Sequence, residues 1–336
     1  PNFRLPEKAG NPLGSLLLSG LQGALEKSEL LSGALRVRDG GVDLELSSAL
    51  AQGGLAEKYR SFFPEVAEDG LAARLEKRGL LALVQFHRSL AQWWEKREDL
   101  MATRSAGDLL NLSQVMSIIF QGRNFQDEVL PEFGPTITLV AKNQEYKGLP
   151  GKPAPAIPGF AAVFELKSAQ EFGTSLITAF QTLVGIINAD RAQKKKEMGM
   201  AMLLRTEKVG EVDVHTVSLN LPKNVKLGIE HNFTPSLAVV GSRVVLSSSQ
   251  ELARVLVEEI SALAAPAAAA AARRADRVAV DAEGVRAILE QNREILVAQS
   301  MLSKGKGKEA AEGEIAAVFE ALKRLRGLQL QSKIEG

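Results

Sequence analysis

The chain contains no cysteine and few aromatic or histidine residues. Its 336 residues include only 2 Trp, 2 Tyr and 3 His. Without cysteine there can be no disulfide bond, no thiolate zinc site and no cysteine nucleophile. The 41 basic and 40 acidic residues leave a net charge of +1, which gives no general attraction to nucleic acid. So few Trp and Tyr also offer little for stacking on bases, and we predict no nucleic-acid partner.

Long apolar runs are also missing from the sequence. No uninterrupted run approaches the roughly 20 residues that span a bilayer, and we expect no transmembrane segment. Hydrophobic residues make up 45% of the chain and charged residues 24%, a composition typical of folded chains and not of disordered ones. The length fits one large domain or two smaller ones.

Both ends of the sequence suggest a longer native chain. Residue 1 is Pro, and no signal stretch follows it. Residues 327–336 alternate like a strand and end on a turn-forming Glu-Gly. The segment 33–46 has the same pattern around Asp39-Gly40-Gly41, but it continues into a second strand. We therefore expect that both termini are truncated and that a further strand follows Gly336.

Helical and alternating periods follow one another along the chain. The sequence predicts a buried strand at 79–86 and further strands at 135–141, 159–166 and 276–280. A period of two over 199–248 predicts strands at 200–206, 211–219, 235–240 and 243–247. Helical spacing and the capping boxes Ser168–Glu171 and Ser248–Glu251 predict helices at 12–27 and 107–120, after each capping box, and at 281–303 and 308–326. Val240–Arg243 is typical of a two-residue hairpin with Gly241 at the position of positive φ. The pattern predicts an α+β fold, with antiparallel sheets that carry helices packed on one face.

Two parts of the chain repeat the same order of elements. Set against each other without gaps, Leu83–Met101 and Val278–Leu296 match at several apolar and acidic positions. We predict a diverged internal duplication that produces two related lobes. The domain prediction comprises a first α+β lobe at 1–155, a central hairpin-rich sheet with two helices at 156–263, an Ala-rich linker at 264–275, and a strand, αα-hairpin and terminal strand at 276–336.

No motif in the sequence is typical of a catalytic site. His87, His215 and His231 lack the i, i+4 spacing of a helical zinc site. Ser247–Ser249 has no nucleophile elbow and suits helix capping. Gly305–Lys308 lacks both the preceding strand and the Ser or Thr of a phosphate loop. We predict no catalytic, cofactor-binding or metal-binding residue.

A few polar and aromatic residues are expected to have structural roles. Trp93 and Trp94, at helical spacing, are expected in the core. Asn292 and Gln299 fall in phase with an apolar helical stripe, and buried amides of this kind usually satisfy nearby loop backbone. Lys194–Lys196 is expected to be a solvated turn.

Four segments are similar to those of a group of bacterial proteins. They are Phe86–Trp94, Gln121–Pro135, Pro235–Ser248 and Asn292–Gly305. They resemble segments of uncharacterised exported proteins from planctomycete-type bacteria. The resemblance implies an extracytoplasmic protein of the envelope or exterior, made as a precursor with a leader. It implies no activity and assigns no site residue.

These observations favour a non-enzymatic extracytoplasmic binding or scaffold protein. One alternative is an apolar-ligand or lipid carrier, which requires a large apolar cavity between sheet and helices. A second is a hydrolase with carboxylates scattered in sequence, which requires a polar pocket where carboxylates or histidines converge. An exposed sheet edge would in addition allow a protein partner or a second copy to add a strand.

Overall fold

A computed structural model describes most of the chain. The described residues are 9–26, 28–38, 41–50, 56–66, 71–75, 79–146, 149, 151–193, 201–219, 227–263, 272–273, 276–323 and 327–331. The turn residues Asp39 and Gly40, Lys194–Lys196 and the segment after Gln331 lie outside them, and so does most of the predicted linker 264–275.

One large antiparallel sheet organises the described chain. Its nine strands, numbered in chain order and given from one end of the sheet to the other, are β13 (Gly327–Gln331), β12 (Arg277–Asp281), β4 (Ala82–His87), β5 (Phe133–Lys142), β6 (Gly159–Leu166), β10 (Arg243–Ser247), β9 (Ser236–Val240), β8 (Val212–Leu219) and β7 (Met202–Val209). Each neighbouring pair is antiparallel. The prediction of an α+β fold built on an antiparallel sheet is confirmed.

Ten helices and two smaller sheets accompany this sheet in the described ranges. The helices are α1 (Pro12–Glu26), α2 (Leu71–Leu75), α3 (Leu90–Glu95), α4 (Arg97–Leu100), α5 (Thr103–Ile119), α6 (Ala169–Gln193), α7 (Gln250–Ser261), α8 (Ala282–Gln291), α9 (Arg293–Lys304) and α10 (Lys308–Lys323). The smaller sheets pair β1 (Ser28–Arg38) with β2 (Gly41–Leu50), and β3 (Glu65–Val66) with β11 (Ala272–Arg273).

Helices cover both faces of the large sheet. Val244 belongs to a core with Phe172 of α6, whereas its neighbour Val245 belongs to a second core with Leu256 of α7. Because successive strand residues project to opposite faces, α6 and α7 lie on opposite sides. We call these the α6 face and the α7 face. The expectation of helices on one face only was therefore wrong, since the strands are buried from both sides.

Three of the four predicted segments contribute strands to this sheet. Strands β4 and β5 come from 1–155, β6 to β10 from 156–263, and β12 and β13 from 276–336. The predicted lobes thus share one hydrogen-bonded sheet, with β13 and β7 as its end strands. Pairing of a partner or a second copy with an exposed edge stays a prediction.

The register constrains the predicted duplication. The strands that begin the two copies, β4 and β12, are antiparallel neighbours in which Leu83 lies opposite Ala279. Opposed residues share a face, so Val278, the ungapped match of Leu83, projects to the other face. The duplication stays a prediction. A two-fold axis perpendicular to the sheet keeps equivalent residues on the same face, so it would require the alignment of the two copies to shift by one residue.

Local turn and cap signals mostly agree with the structure. Gly241 has a φ of 57° in the two-residue hairpin between β9 and β10, as predicted. The helix cap is displaced by one residue from the capping box that begins at Ser248. It is Ser249 whose hydroxyl accepts from the N–H of Leu252, because Ser248 instead accepts the N–H of Phe160.

Helix α6 is long and apolar enough to cross a membrane, judged by length and composition alone, and it is the one such helix in the described ranges. Core helices pass the same test, which makes it weak support for a membrane span. Phe172, Leu176 and Ala179 of α6 are buried in the core of the α6 face. One side of the helix therefore packs against the sheet, and 28% of its most apolar window is buried.

Helix α1 packs through its smallest residues. Its buried positions are Ser15, Ser19, Gly20 and Gly23. A Cβ on Gly20 would lie 2.7 Å from the Cβ of Phe62, so the glycine permits close contact with the 3₁₀-helix Glu57–Phe62.

Replacing Gly23 with alanine is expected to destabilise the protein by about 1–3 kcal/mol through overpacking. A Cβ at this position would overlap the buried ring of Tyr59. Alanine is the better helix former by about 1 kcal/mol, but the clash outweighs that gain. Urea unfolding measures the change. The matched control is Gly107→Ala in α5, where a Cβ meets nothing within 4 Å and the substitution is expected to be neutral or stabilising. Equal effects at the two glycines would contradict the packing argument.

Candidate functional site

A cavity of about 660 Å³ lies on the α6 face of the large sheet. Its floor includes two rows of residues that run across neighbouring strands. The first row is Val84, Leu139, Ala162 and Leu246, directly opposed on β4, β5, β6 and β10. The second row is Ala82, Ala141, Phe160 and Ser248, at the end of the sheet where β6 begins. The alanines form the depression because their side chains leave room above the backbone.

The walls of the cavity come from a helix and a loop. Phe180 and Leu183 of α6 line one side. Phe233 and Pro235, which precede β9, line another. The ring of Phe233 meets that of Phe160 edge to face, with 6.2 Å between the centroids. Phe160 is nevertheless 53% exposed, so a large aromatic surface faces the solvent at the cavity.

Three serines line the cavity, but their hydroxyls have partners in the protein. The Ser236 hydroxyl donates to the Thr234 carbonyl at 2.8 Å. The Ser247 hydroxyl donates to the Ser249 carbonyl at 2.8 Å, and the Ser248 hydroxyl accepts the N–H of Phe160 at 2.9 Å. Because these bonds are made within the protein, the wall offers a ligand almost only apolar contact. None of the described lining residues is titratable.

A buried asparagine organises the loop beside the cavity. The Asn232 oxygen accepts from the N–H of Ile157 at 2.7 Å and from the hydroxyl of Tyr146 at 2.8 Å. Its amide nitrogen donates to the carbonyls of Pro155 and Ile229, both at 2.9 Å. Asn232 is thus bonded through both ends of its amide, and it holds the next residue, Phe233, in the cavity wall.

A second asparagine, Asn292 between α8 and α9, forms hydrogen bonds with the same loop. Asn292 accepts the N–H of Ala156 at 2.9 Å and donates to the Ala156 carbonyl at 2.8 Å. The prediction that Asn292 satisfies loop backbone is confirmed. The same prediction for Gln299 was wrong, because the helix breaks at Asn292 and Gln299 is exposed.

The three histidines lie apart from the cavity lining. His87 is buried, with its Nδ1 3.4 Å from the Thr136 hydroxyl. His215 lies 2.9 Å from the Thr206 hydroxyl, and burial lowers its pKa, partly opposed by Asp213. His231 is buried beside Glu230, with 3.2 Å between Nδ1 and the carboxylate.

The other described residues considered in the sequence analysis take part in core packing or ion pairs. Trp93 and Trp94 are buried in the core of the α6 face, as expected. Lys304 at the end of α9 and Lys306 in the Gly305–Lys308 turn donate to the Glu314 carboxylate and lower its pKa to about 2. In the described part of the chain, no three His, Asp or Glu side chains are grouped as a metal site.

Comparison with protein-family models, curated proteins and solved structures gives no match for this chain.

Proposed function

We propose that the protein is a non-catalytic binding protein for an apolar ligand, held in the cavity on the α6 face. The observation that supports this most is the lining: alanine, leucine, valine and phenylalanine side chains around about 660 Å³. Ligand pockets usually have volumes of roughly 300–1,000 Å³ and are mainly apolar, with a few polar groups that orient the ligand. Here the polar groups of the lining are already bonded, which favours a hydrocarbon chain or ring system over a polar metabolite.

The cavity favours a carrier over a hydrolase. A hydrolase of the scattered-carboxylate type needs an acid and a base within hydrogen-bond reach of the substrate. The Glu230 carboxylate lies 3.2 Å from Nδ1 of the buried His231, but neither residue lines the cavity. The binding energy of an apolar guest would come from the removal of its surface from water, about 0.8 kcal/mol for each methylene.

Filling the cavity is expected to weaken ligand binding at least tenfold. Ala162→Phe places a ring above the floor between Leu139 and Leu246, where the guest would lie. Titration with the neutral fluorescent probe N-phenylnaphthylamine, and its displacement by hexadecanoic acid, measure the affinity. Ala310→Phe adds the same ring on the exposed surface of α10 and is expected to bind like the unmodified protein.

The result that contradicts the proposal is also specific. It is either no binding of the probe by the folded, unmodified protein or equal binding by the two phenylalanine variants. Circular dichroism and the urea midpoint establish that both variants are folded.

The resemblance to exported bacterial proteins further supports the proposal that this binding takes place outside the cytoplasm.

A further inference from the structure

Helix α1 buries its smallest side chains and leaves three of its leucines exposed. In a surface helix, large apolar side chains normally face the core. In α1 the fully buried residues are Ser15, Ser19, Gly20 and Gly23, and Leu16 packs against the same core while partly buried. Leu13, Leu18 and Leu21 are each 60% exposed. We call these three residues the leucine face.

The helix is fixed in this orientation. The Trp93 indole N–H donates to the Ser15 hydroxyl at 3.1 Å. Arg88 donates from Nε to the carbonyl of Leu16 at 2.9 Å and from Nη2 to the carbonyl of Leu17 at 3.3 Å. Because the glycines touch Phe62 and Tyr59 with no room for larger groups, the helix cannot rotate to bury its leucines.

The leucine face carries no charge and is small. Pro12–Leu25 contains no Asp, Glu, Lys or Arg. Its three leucines expose on the order of 300 Å² of apolar surface, whereas a stable protein–protein interface needs about 800 Å² from each partner. A second copy is therefore a poor match. A bilayer is a better one, because an interfacial helix only has to bury an apolar face about 5–10 Å deep.

We propose that the leucine face of α1 docks the protein on a lipid bilayer by shallow insertion. The absence of charge on this face indicates that the attraction is apolar, so zwitterionic lipid suffices and salt has little effect. Leu30, in the strand that follows the helix, is also 64% exposed. The inference does not depend on the cavity or its ligand.

Flotation with phosphatidylcholine vesicles tests this docking. The unmodified protein is expected to float with the vesicles at both low and high NaCl. The double variant Leu18→Gln/Leu21→Gln is expected to need at least tenfold more lipid for half binding. Leu302→Gln removes a leucine that is 88% exposed on α9 and is the matched control, expected to bind normally.

Three outcomes would overturn the proposal. They are no flotation of the unmodified protein, equal flotation of the double variant, and a concentration-dependent dimer that the double variant abolishes in sedimentation velocity. The last would assign the leucine face to a second copy. Ala162→Phe is expected to float normally, which separates failure of docking from failure of ligand binding. Circular dichroism confirms that each variant is folded.

Discussion

Replacing Arg88 with methionine is expected to lower the free energy of unfolding by about 3–5 kcal/mol, the range for breaking a buried ion pair. The guanidinium is 3% exposed and forms a bidentate pair with the Asp276 carboxylate. It also donates to the carbonyls of Leu16, Leu17 and Phe62. Methionine fills a similar volume but leaves these acceptors without their donor. The side chain thus links α1, the 3₁₀-helix before β3, the end of β4 and the residue before β12.

Urea unfolding monitored by tryptophan fluorescence measures this loss. Arg104→Met, at an exposed position of α5, is the matched control and is expected to change stability by less than about 0.5 kcal/mol. Asp276→Asn is also expected to be destabilising, because it leaves the buried Arg88 guanidinium without its counter-charge. A cost below about 1 kcal/mol for Arg88→Met would mean that the guanidinium does not hold these elements together.

Replacing Asn232 with alanine is expected to cost about 2–4 kcal/mol and to weaken ligand binding. The substitution removes four hydrogen bonds, and each buried polar group left without a partner costs about 1–3 kcal/mol. The phenol of Tyr146 loses one of its two acceptors and keeps the Ile157 carbonyl at 2.9 Å. Burial raises the pKa of this phenol, because the group is partly removed from water. Water therefore cannot easily replace the lost Asn232 acceptor.

The measurement combines stability and function. Urea unfolding gives the change in free energy, and N-phenylnaphthylamine titration reports whether Phe233 still forms the cavity wall. Asn111→Ala, on the exposed side of α5, is the control that removes an amide with no described bond to a loop. If Asn232→Ala unfolds at the same urea concentration as this control, the amide network does not stabilise the loop.

Much of the fold could be predicted because its signals are local. The Gly241 hairpin needs only a residue that tolerates positive φ between two alternating runs. The strands and the long helix after Ser168 follow from periods of two and 3.6 residues. The cap was displaced by one residue because Ser248 and Ser249 are chemically equivalent, and only the position of Phe160 decides which hydroxyl is free.

The candidate site could not be predicted in the same way. Ala82, Ala141 and Ala162 are ordinary strand residues in the sequence, and they form a depression only when three strands pair in one register. Both faces of the sheet are covered, which depends on where α6 and α7 run and not on their composition. The orientation of α1 depended on Phe62 and Tyr59, which leave no room for a side chain at Gly20 and Gly23.

The pairing of β4 with β12 has a consequence for synthesis on the ribosome. Val84 is paired with Val278, so one side of β4 stays open until Val278 has been synthesised. At typical elongation rates of about 5–20 residues per second, that delay is roughly 10–40 s. Because an open strand edge is a template for aggregation, β4 is exposed to this hazard during the interval.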